Sequence, residues 1–190
     1  QPAEEGFGGA SGMINNGLFT RFPIPDAAFC YHVSAELPTG TIGYFPGAIF
    51  AGVNSVDMTV YGIGGHGAMP HKTIDPIVLS ARIILDLQTI VSREINPFQP
   101  AVVTVGSIHG GTKHNIIPDE VKMQLTIRFF DDTVYGQIQE ALERITRGIA
   151  ISAGLPEKLM PVVKLQDEYL PPVNNDPDLV MKSVSTFETV

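Results

Sequence analysis

The clearest signal in the chain is its alternation of hydrophobic and polar positions. Val56, Met58 and Val60 alternate with Asp57, Thr59 and Tyr61, the two-residue period of a half-buried strand. After the loop GGHGAMPH (64–71), Asp75-Pro76 offers an N-cap and a proline at the first helical position. A helix follows, carrying Ile77, Leu79, Ala81, Ile83, Ile84, Leu85, Leu87 and Ile90. Its polar stripe is Arg82, Asp86, Thr89 and Arg93, and Asn96-Pro97 ends it. AVVTVGSI (101–108) reads as a buried strand and HGGTKHN as a loop. Val121, Met123, Leu125, Ile127 and Phe129 then alternate with Lys122, Gln124, Thr126 and Arg128, the best-defined strand of all. A second helix starts near Thr133, buries Ile138, Ala141, Leu142, Ile145 and Ile149, and stops at Gly154 and Pro156. PVVKLQDEYL (161–170) reads as the last strand.

Strand, helix, strand, strand, helix, strand is the order of an α+β fold of ferredoxin-like type. Two right-handed crossovers give a four-stranded antiparallel sheet with both helices on one face, leaving the other face and an edge open. Residues 1–50 are rich in Gly, Pro and short apolar groups, as in loops and short strands around a site rather than a self-sufficient fold. The chain opens on QPAEEG without a methionine, and a helix begun near Asp176 runs to its end, as expected of a piece of a longer protein.

Composition narrows the classes of function. The 190 residues are 44% hydrophobic and 17% charged, enough apolar material for a core. A formal net charge of -8 without a basic run argues against nucleic acid. No apolar run approaches the ~18 residues of a membrane helix. Cys30 is the single cysteine, so no intrachain disulfide forms, and a soluble cytoplasmic chain is expected.

Candidate chemistry is confined to a few places. Gly62 to Gly67 matches a dinucleotide fingerprint in letters, but loop residues separate it from the helix and Asp86 falls mid-helix, so no nucleotide site is expected. Adjacent side chains on an extended segment point to opposite sides. One of Glu4 and Glu5 can therefore bind a metal while the other moves a proton, with His32 in AFCYHV as a partner ligand. A solvated turn and a structural strand histidine are the plain alternatives. His66 lies among glycines that leave it bare. His71 suits packing or capping near Asp75, and His109 and His114 read as exposed. Asn115 suits a turn cap before Pro118. Arg128 belongs to a solvated face or forms a guanidinium fork for a carboxylate.

Five blocks in register, QPAEEG, YHV with LPTG, GGHGAMPH with DPI, GGTKHNIIPDE and TIRFF, resemble the dinuclear-metal aminoacylase/carboxypeptidase family. Hippurate hydrolases, auxin-conjugate hydrolases and N-acyl-amino-acid amidohydrolases form the branch that is similar. The resemblance implies a catalytic domain in 1–52, a ferredoxin-like lid that dimerises in 53–168, and a return to the catalytic domain in 169–190. It implies Glu4 as general base, Glu5 and His32 as metal ligands, and His66 as an oxyanion donor to the partner subunit's site. Asn115 assists there and Arg128 holds the substrate carboxylate. Two divalent ions are implied, zinc first, with manganese or cobalt as alternatives. Ser34-Ala35 replaces the branch's Trp-Pro and alters the pocket wall. The remaining ligands of the family are absent from these residues, so this stretch alone is expected to be inactive.

The expected activity is hydrolysis of the amide bond of an N-acyl amino acid by a homodimer acting on small molecules. A dipeptidase or carboxypeptidase is the near alternative. A catalytically inactive dimerisation module is the distant one.

Overall fold

The computed structural model describes residues 8–167 and 169–189. Glu4 and Glu5 lie outside them. The chain divides between Gly43 and Tyr44 into two compact units. The first holds two short helices, α1 (Gly9–Asn15) and α2 (Leu18–Arg21). Asn16 closes α1 by donating from Nδ2 to the Gly12 carbonyl at 2.8 Å. Short strands were expected here, and AFCYHV was expected to be one of them. Instead residues 22–46 contain only bends, turns and irregular chain. A strand needs a neighbour for its backbone groups, and no strand among the described residues pairs with this segment. None of residues 8–46 is buried, and Phe29, Tyr31 and Val33 are 61%, 74% and 93% exposed. This segment makes no core of its own, as its composition suggests.

The second unit begins with β1 (Gly47–Phe50), followed by β2 (Gly52–Tyr61), β3 (Gly65–His66) and α3 (Pro76–Thr89). Next come β4 (Ala101–Gly110), β5 (Ile116–Ile117), β6 (Glu120–Phe129) and α4 (Asp132–Ser152). The chain closes with β7 (Val162–Leu165), β8 (Val173–Asn175) and α5 (Pro177–Phe187). The main sheet has the order β4-β6-β2-β7, antiparallel throughout. Two further antiparallel pairs, β1–β8 and β3–β5, stand beside it. Pairing with β8 draws β1 into the larger unit, which is why the division falls before residue 52.

Asp75 caps α3 by accepting the Ile77 N–H at 2.8 Å, and Asp131 caps α4 by accepting that of Thr133 at 2.7 Å. The hydrogen bonds from Thr133 hold the Asp131 carboxyl below its ordinary pKa. Val56, Met58 and Val60 of β2 and Val121 to Phe129 of β6 turn one sheet face inward. Leu79, Ile83 and Leu87 of α3 and Ile138, Leu142 and Ile149 of α4 join them in one core, so both helices cover the same face. Ile83 and Ile138 are fully enclosed, at 0% exposure each. Ile83→Ala is expected to cost about 2–5 kcal/mol, since the cavity cannot collapse between sheet and α4. Urea unfolding should show a lower midpoint with an unchanged slope.

The last strand is shorter than its sequence suggests. The Gln166 N–H still donates to the Ser55 carbonyl at 2.9 Å; the chain then leaves the ladder and returns at Leu170, which exchanges two backbone hydrogen bonds with Val53. Between them Tyr169 stacks on Phe129, with centroids 5.9 Å apart, and donates to Asp132 Oδ1 at 2.7 Å. That hydrogen bond, with some desolvation, pushes the Tyr169 hydroxyl up to about 12. Tyr135 joins the stack and accepts from Asn54 Nδ2 at 2.6 Å. This aromatic cluster ties down the end of the sheet where the chain enters at Gly52 and leaves at Leu170.

Candidate active site

His66 is held by backbone, and the glycines around it serve close approach rather than mobility. Gly65 and His66 pair with Ile117 and Ile116. The Gly67 N–H donates to the Asn115 carbonyl at 2.8 Å, and the Met69 N–H returns to the His66 carbonyl at 2.8 Å. Ile63 and Ile74 exchange bonds of 2.9 and 3.0 Å at the neck of the loop. A Cβ on Gly64 would stand 2.7 Å from Asp119 Oδ1 and from the Ile117 carbonyl, and one on Gly67 would stand 3.1 Å from the Asn115 carbonyl. Only glycine allows the two loops to lie this close. These bonds tie the loop down on both sides.

Asp119 was not singled out in the sequence, yet it anchors the whole arrangement. Its Oδ1 accepts the Gly64 N–H at 2.9 Å and its carbonyl accepts that of Gly62 at 2.8 Å. The available signal was its place after Pro118, where a short polar side chain commonly bonds nearby backbone.

The imidazole of His66 has a defined tautomer. The Ala68 N–H donates to Nδ1 at 3.1 Å, so Nδ1 offers its lone pair and the proton sits on Nε2. His66 is exposed and thus presents an N–H donor outward. Asn115 adjoins it through the Gly67 bond. It is the Asn115 carbonyl that the fold uses, and the carboxamide makes no hydrogen bond among the described residues, so it does not cap the turn. His71 sits exposed in the turn Pro70–Lys72, and Asp75 alone caps α3. His114 is exposed in the loop between β4 and β5.

Arg128 is nowhere near this pair. It projects from the sheet face opposite the helices, between Val53 and Val102, and makes no ion pair among the described residues. Glu120 and Arg128 stand at opposite ends of β6, and at ~3.4 Å per residue the strand separates them by roughly 27 Å. His66 and Asn115 lie beyond the Glu120 end, next to Asp119. Within one chain the structure joins His66 to Asn115 and keeps Arg128 apart from both.

His32 belongs to the first unit. Its Nδ1 donates to the Val33 carbonyl at 2.7 Å, the kind of backbone bond that orients a metal-binding imidazole. The donor chemistry of this residue fits a divalent ion. The other implied ligand, Glu5, and the implied base, Glu4, lie outside the described residues, among which no group of three His, Cys, Asp or Glu side chains is placed to hold a metal. No helix among them is long and apolar enough to cross a membrane.

Residues 51–152 match the family described as the peptidase dimerisation domain. An N-acetyldiaminopimelate deacetylase of Exiguobacterium sibiricum is 42% identical over 155 residues, covering 82% of this chain and 42% of its own length. Thermostable carboxypeptidase 2 of Saccharolobus solfataricus is 40% identical over 194 residues, covering all of this chain and 48% of its own length. The chain thus spans somewhat less than half the length of the curated relatives it matches. A structure from methicillin-resistant Staphylococcus aureus, described as an aminohydrolase, superposes with a TM-score of 0.75 at 31% identity, covering 84% of this chain and 41% of that one. A Bacillus subtilis structure described as a dinuclear metal binding peptidase from the M20 family does so with a TM-score of 0.60 at 29% identity, over 81% of this chain and 36% of that one.

Proposed function

The chain belongs to the M20 peptidase family, whose relatives here are named as hydrolases of amide and peptide bonds, and from that premise we propose that it is part of a dimeric, metal-dependent hydrolase of N-acyl amino acids. In this reading residues 53–168 are a ferredoxin-like lid, and residues 1–52 and 169–190 belong to the catalytic domain. The supporting observation is the His66 tautomer: a fixed Nε2–H donor, next to Asn115 whose carboxamide makes no hydrogen bond among the described residues, suits a developing oxyanion. Each well-placed donor of that kind contributes on the order of 3 kcal/mol to the barrier.

The roles follow residue by residue. Glu4 takes the proton from the attacking water and delivers it to the leaving amine. Glu5 and His32 hold metal. The metal ions, zinc in the first instance, supply Lewis acidity when bound. His66 and Asn115 receive the carbonyl oxygen, and Arg128 pairs with the substrate's carboxylate. A cytoplasmic location goes with this reading.

The separation of His66 from Arg128 decides how the dimer must work. A small substrate cannot bridge roughly 27 Å, so the two residues reach one site only from different chains. Edge strand β4 has ten residues against the four of β7, and α3 beside it exposes Val78 and Leu85 at 57% and 70%. An exposed edge with apolar neighbours is a surface that proteins normally cover. Antiparallel pairing of β4 with its copy about a two-fold axis puts the Gly110 end of one chain against the Ala101 end of the other. Val102 is the register partner of Arg128. The His66 end of each chain thereby approaches the Arg128 end of its partner. The full-length protein should sediment as a dimer at micromolar concentration, and Val78→Glu with Leu85→Glu, which put charge on the exposed apolar surface beside β4, should yield monomers. A dimer unaffected by changes on β4 and α3 would place the interface elsewhere.

The direct test is hydrolysis of N-acetyl and N-benzoyl amino acids by the full-length protein, beside dipeptides, with metal content measured in parallel. Two divalent ions per chain are expected. Glu5→Ala or His32→Ala should each lose at least one of them, because a ligand set short of one member binds far more weakly. Faster turnover of dipeptides would favour the carboxypeptidase reading, which the name of the Saccharolobus relative supports. Full metal occupancy without turnover of any amide would leave the dimerisation module.

A further inference from the structure

His66 faces a direction that its own strand does not predict. Val56, Met58 and Val60 of β2 turn to the core, and an unbroken alternation through residue 66 would carry the imidazole to that same side. The structure turns it away. Tyr61 stands opposite Glu120, and the Gly62 N–H adds one further bond in that register, to the Asp119 carbonyl at 2.8 Å. Gly65 and His66 then stand opposite Ile117 and Ile116. Ile63 and Gly64 lie between these pairings on one side, and Pro118 alone on the other. The register has slipped by one residue, and such a slip moves a side chain to the opposite face.

The partner side keeps its alternation. Ile117 is buried, as Val121 and Met123 are, while Ile116 is exposed. Directly opposed residues of an antiparallel pair share a face. His66 therefore lies on the side of Ile116 and, by the same alternation, of Lys122 and Arg128. The inserted residue puts the imidazole on the face that bears the guanidinium.

Asp119 is what holds the slip. Gly-rich strands specify their register weakly, and β3 and β5 have only two residues each. Pro118 carries no N–H, and Ile63 spends both backbone groups on Ile74. The Gly64 N–H is the donor left over, and Asp119 Oδ1 takes it at 2.9 Å. One residue thus grips both sides of the slip. Its carbonyl holds the last bond of the β2–β6 register, and its carboxylate holds the inserted residue. We propose that Asp119 is a positioning residue for the hydrolysis: it selects the face on which His66 presents Nε2–H, and it does so as a hydrogen-bond acceptor rather than as a charge. This rests on the reading of His66 as the oxyanion donor.

In the full-length protein Asp119→Ala should lower kcat by at least about tenfold, within the 10²–10³-fold loss of one oxyanion donor. KM should stay near that of the wild type, because the misplaced hydrogen bond matters in the transition state. Asp119→Asn keeps an acceptor oxygen in place and should recover most of the loss. Asp119→Ala combined with His66→Ala should cost no more than His66→Ala alone, since a residue that acts only through His66 then has nothing to position. A general structural role would instead add its loss to that of His66→Ala, and that result overturns the proposal. So does wild-type kcat in Asp119→Ala, or an Asp119→Asn variant impaired as much as Asp119→Ala. Should Asp119→Ala fail to fold, Asp119→Glu replaces it in each comparison, because it keeps the charge and moves the oxygen by one methylene. Full activity of Asp119→Glu would overturn the proposal as well.

The imidazole gives a second reading that needs no substrate. Nitrogen NMR of isotope-labelled histidine in alkaline buffer, with His66 assigned through His66→Gln, reports which ring nitrogen carries the proton. The wild type and Asp119→Asn should show a protonated Nε2, and Asp119→Ala a mixture of tautomers. If no amide is hydrolysed, or if His66→Ala leaves turnover untouched, the oxyanion reading fails separately and this comparison still judges Asp119. A changed ring pattern in Asp119→Ala upholds the positioning role, and a wild-type pattern overturns it.

Discussion

Glu4→Gln should lower turnover of N-acyl amino acids by about 10²–10⁴-fold in the full-length protein while metal content stays near that of the wild type. The carboxamide keeps the size and one acceptor oxygen of the carboxylate and removes its basicity. What is lost is the group that accepts a proton as the carbon–oxygen bond forms, a contribution made in the transition state. kcat should therefore fall with kcat/KM, and KM should change little. Glu5→Gln is the matched control: its effect should follow metal loss and be relieved in part by added zinc. Metal analysis alongside steady-state kinetics reads both. If Glu4→Gln loses metal and Glu5→Gln does not, the two carboxylates hold the opposite roles.

The core of the fold was legible in the sequence because alternation is a direct consequence of a half-buried sheet. Val121 to Phe129 and Val56 to Val60 follow the two-residue period closely, and both strands lie as it requires. The ends of elements were less legible. PVVKLQDEYL reads as one strand, yet the strand ends at Leu165 and its last ladder bond before Leu170 is from the Gln166 N–H. Tyr169 leaves the ladder to stack on Phe129 and bond Asp132, contacts made with residues far away in sequence. AFCYHV is apolar enough for a strand, but periodicity carries no information about whether a partner is present. At the candidate site, the glycines around His66 were legible as room for a close approach, while the groups that approach were not. They prove to be clearance for Asn115 and Asp119. The tautomer of His66 depends on one backbone N–H two residues on, and no residue pattern encodes that. Nor did the sequence reveal that Arg128 stands a strand's length from His66, because register and strand order had first to be known.

That distance yields the second large effect, in mixed dimers. His66→Ala alone should cut kcat by about 10²–10³-fold, as the loss of one oxyanion donor does. Arg128→Ala should act mainly on KM, because a carboxylate clamp serves ground and transition states alike. Each site in the proposed dimer draws Glu4 and Arg128 from one chain and His66 from the other. When chains of His66→Ala and Arg128→Ala exchange, one site of every heterodimer holds a native Arg128 in its own chain and a native His66 from its partner. About half the dimers are mixed at equal amounts, so at substrate well below the raised KM of Arg128→Ala activity should recover to roughly a quarter of wild type. His66→Ala with Glu4→Gln should recover equally. Arg128→Ala with Glu4→Gln should not, since both lesions then fall on residues that a site takes from one chain, and each site keeps one of them. Recovery in that last pair, with none between His66→Ala and Arg128→Ala, would mean that both lid residues reach across together. Strand β6 would then have to bend far from the straight ladder it forms with β2 and β4. Exchange itself is verified by native mass spectrometry of differently tagged chains, so a silent mixture cannot be mistaken for a silent site.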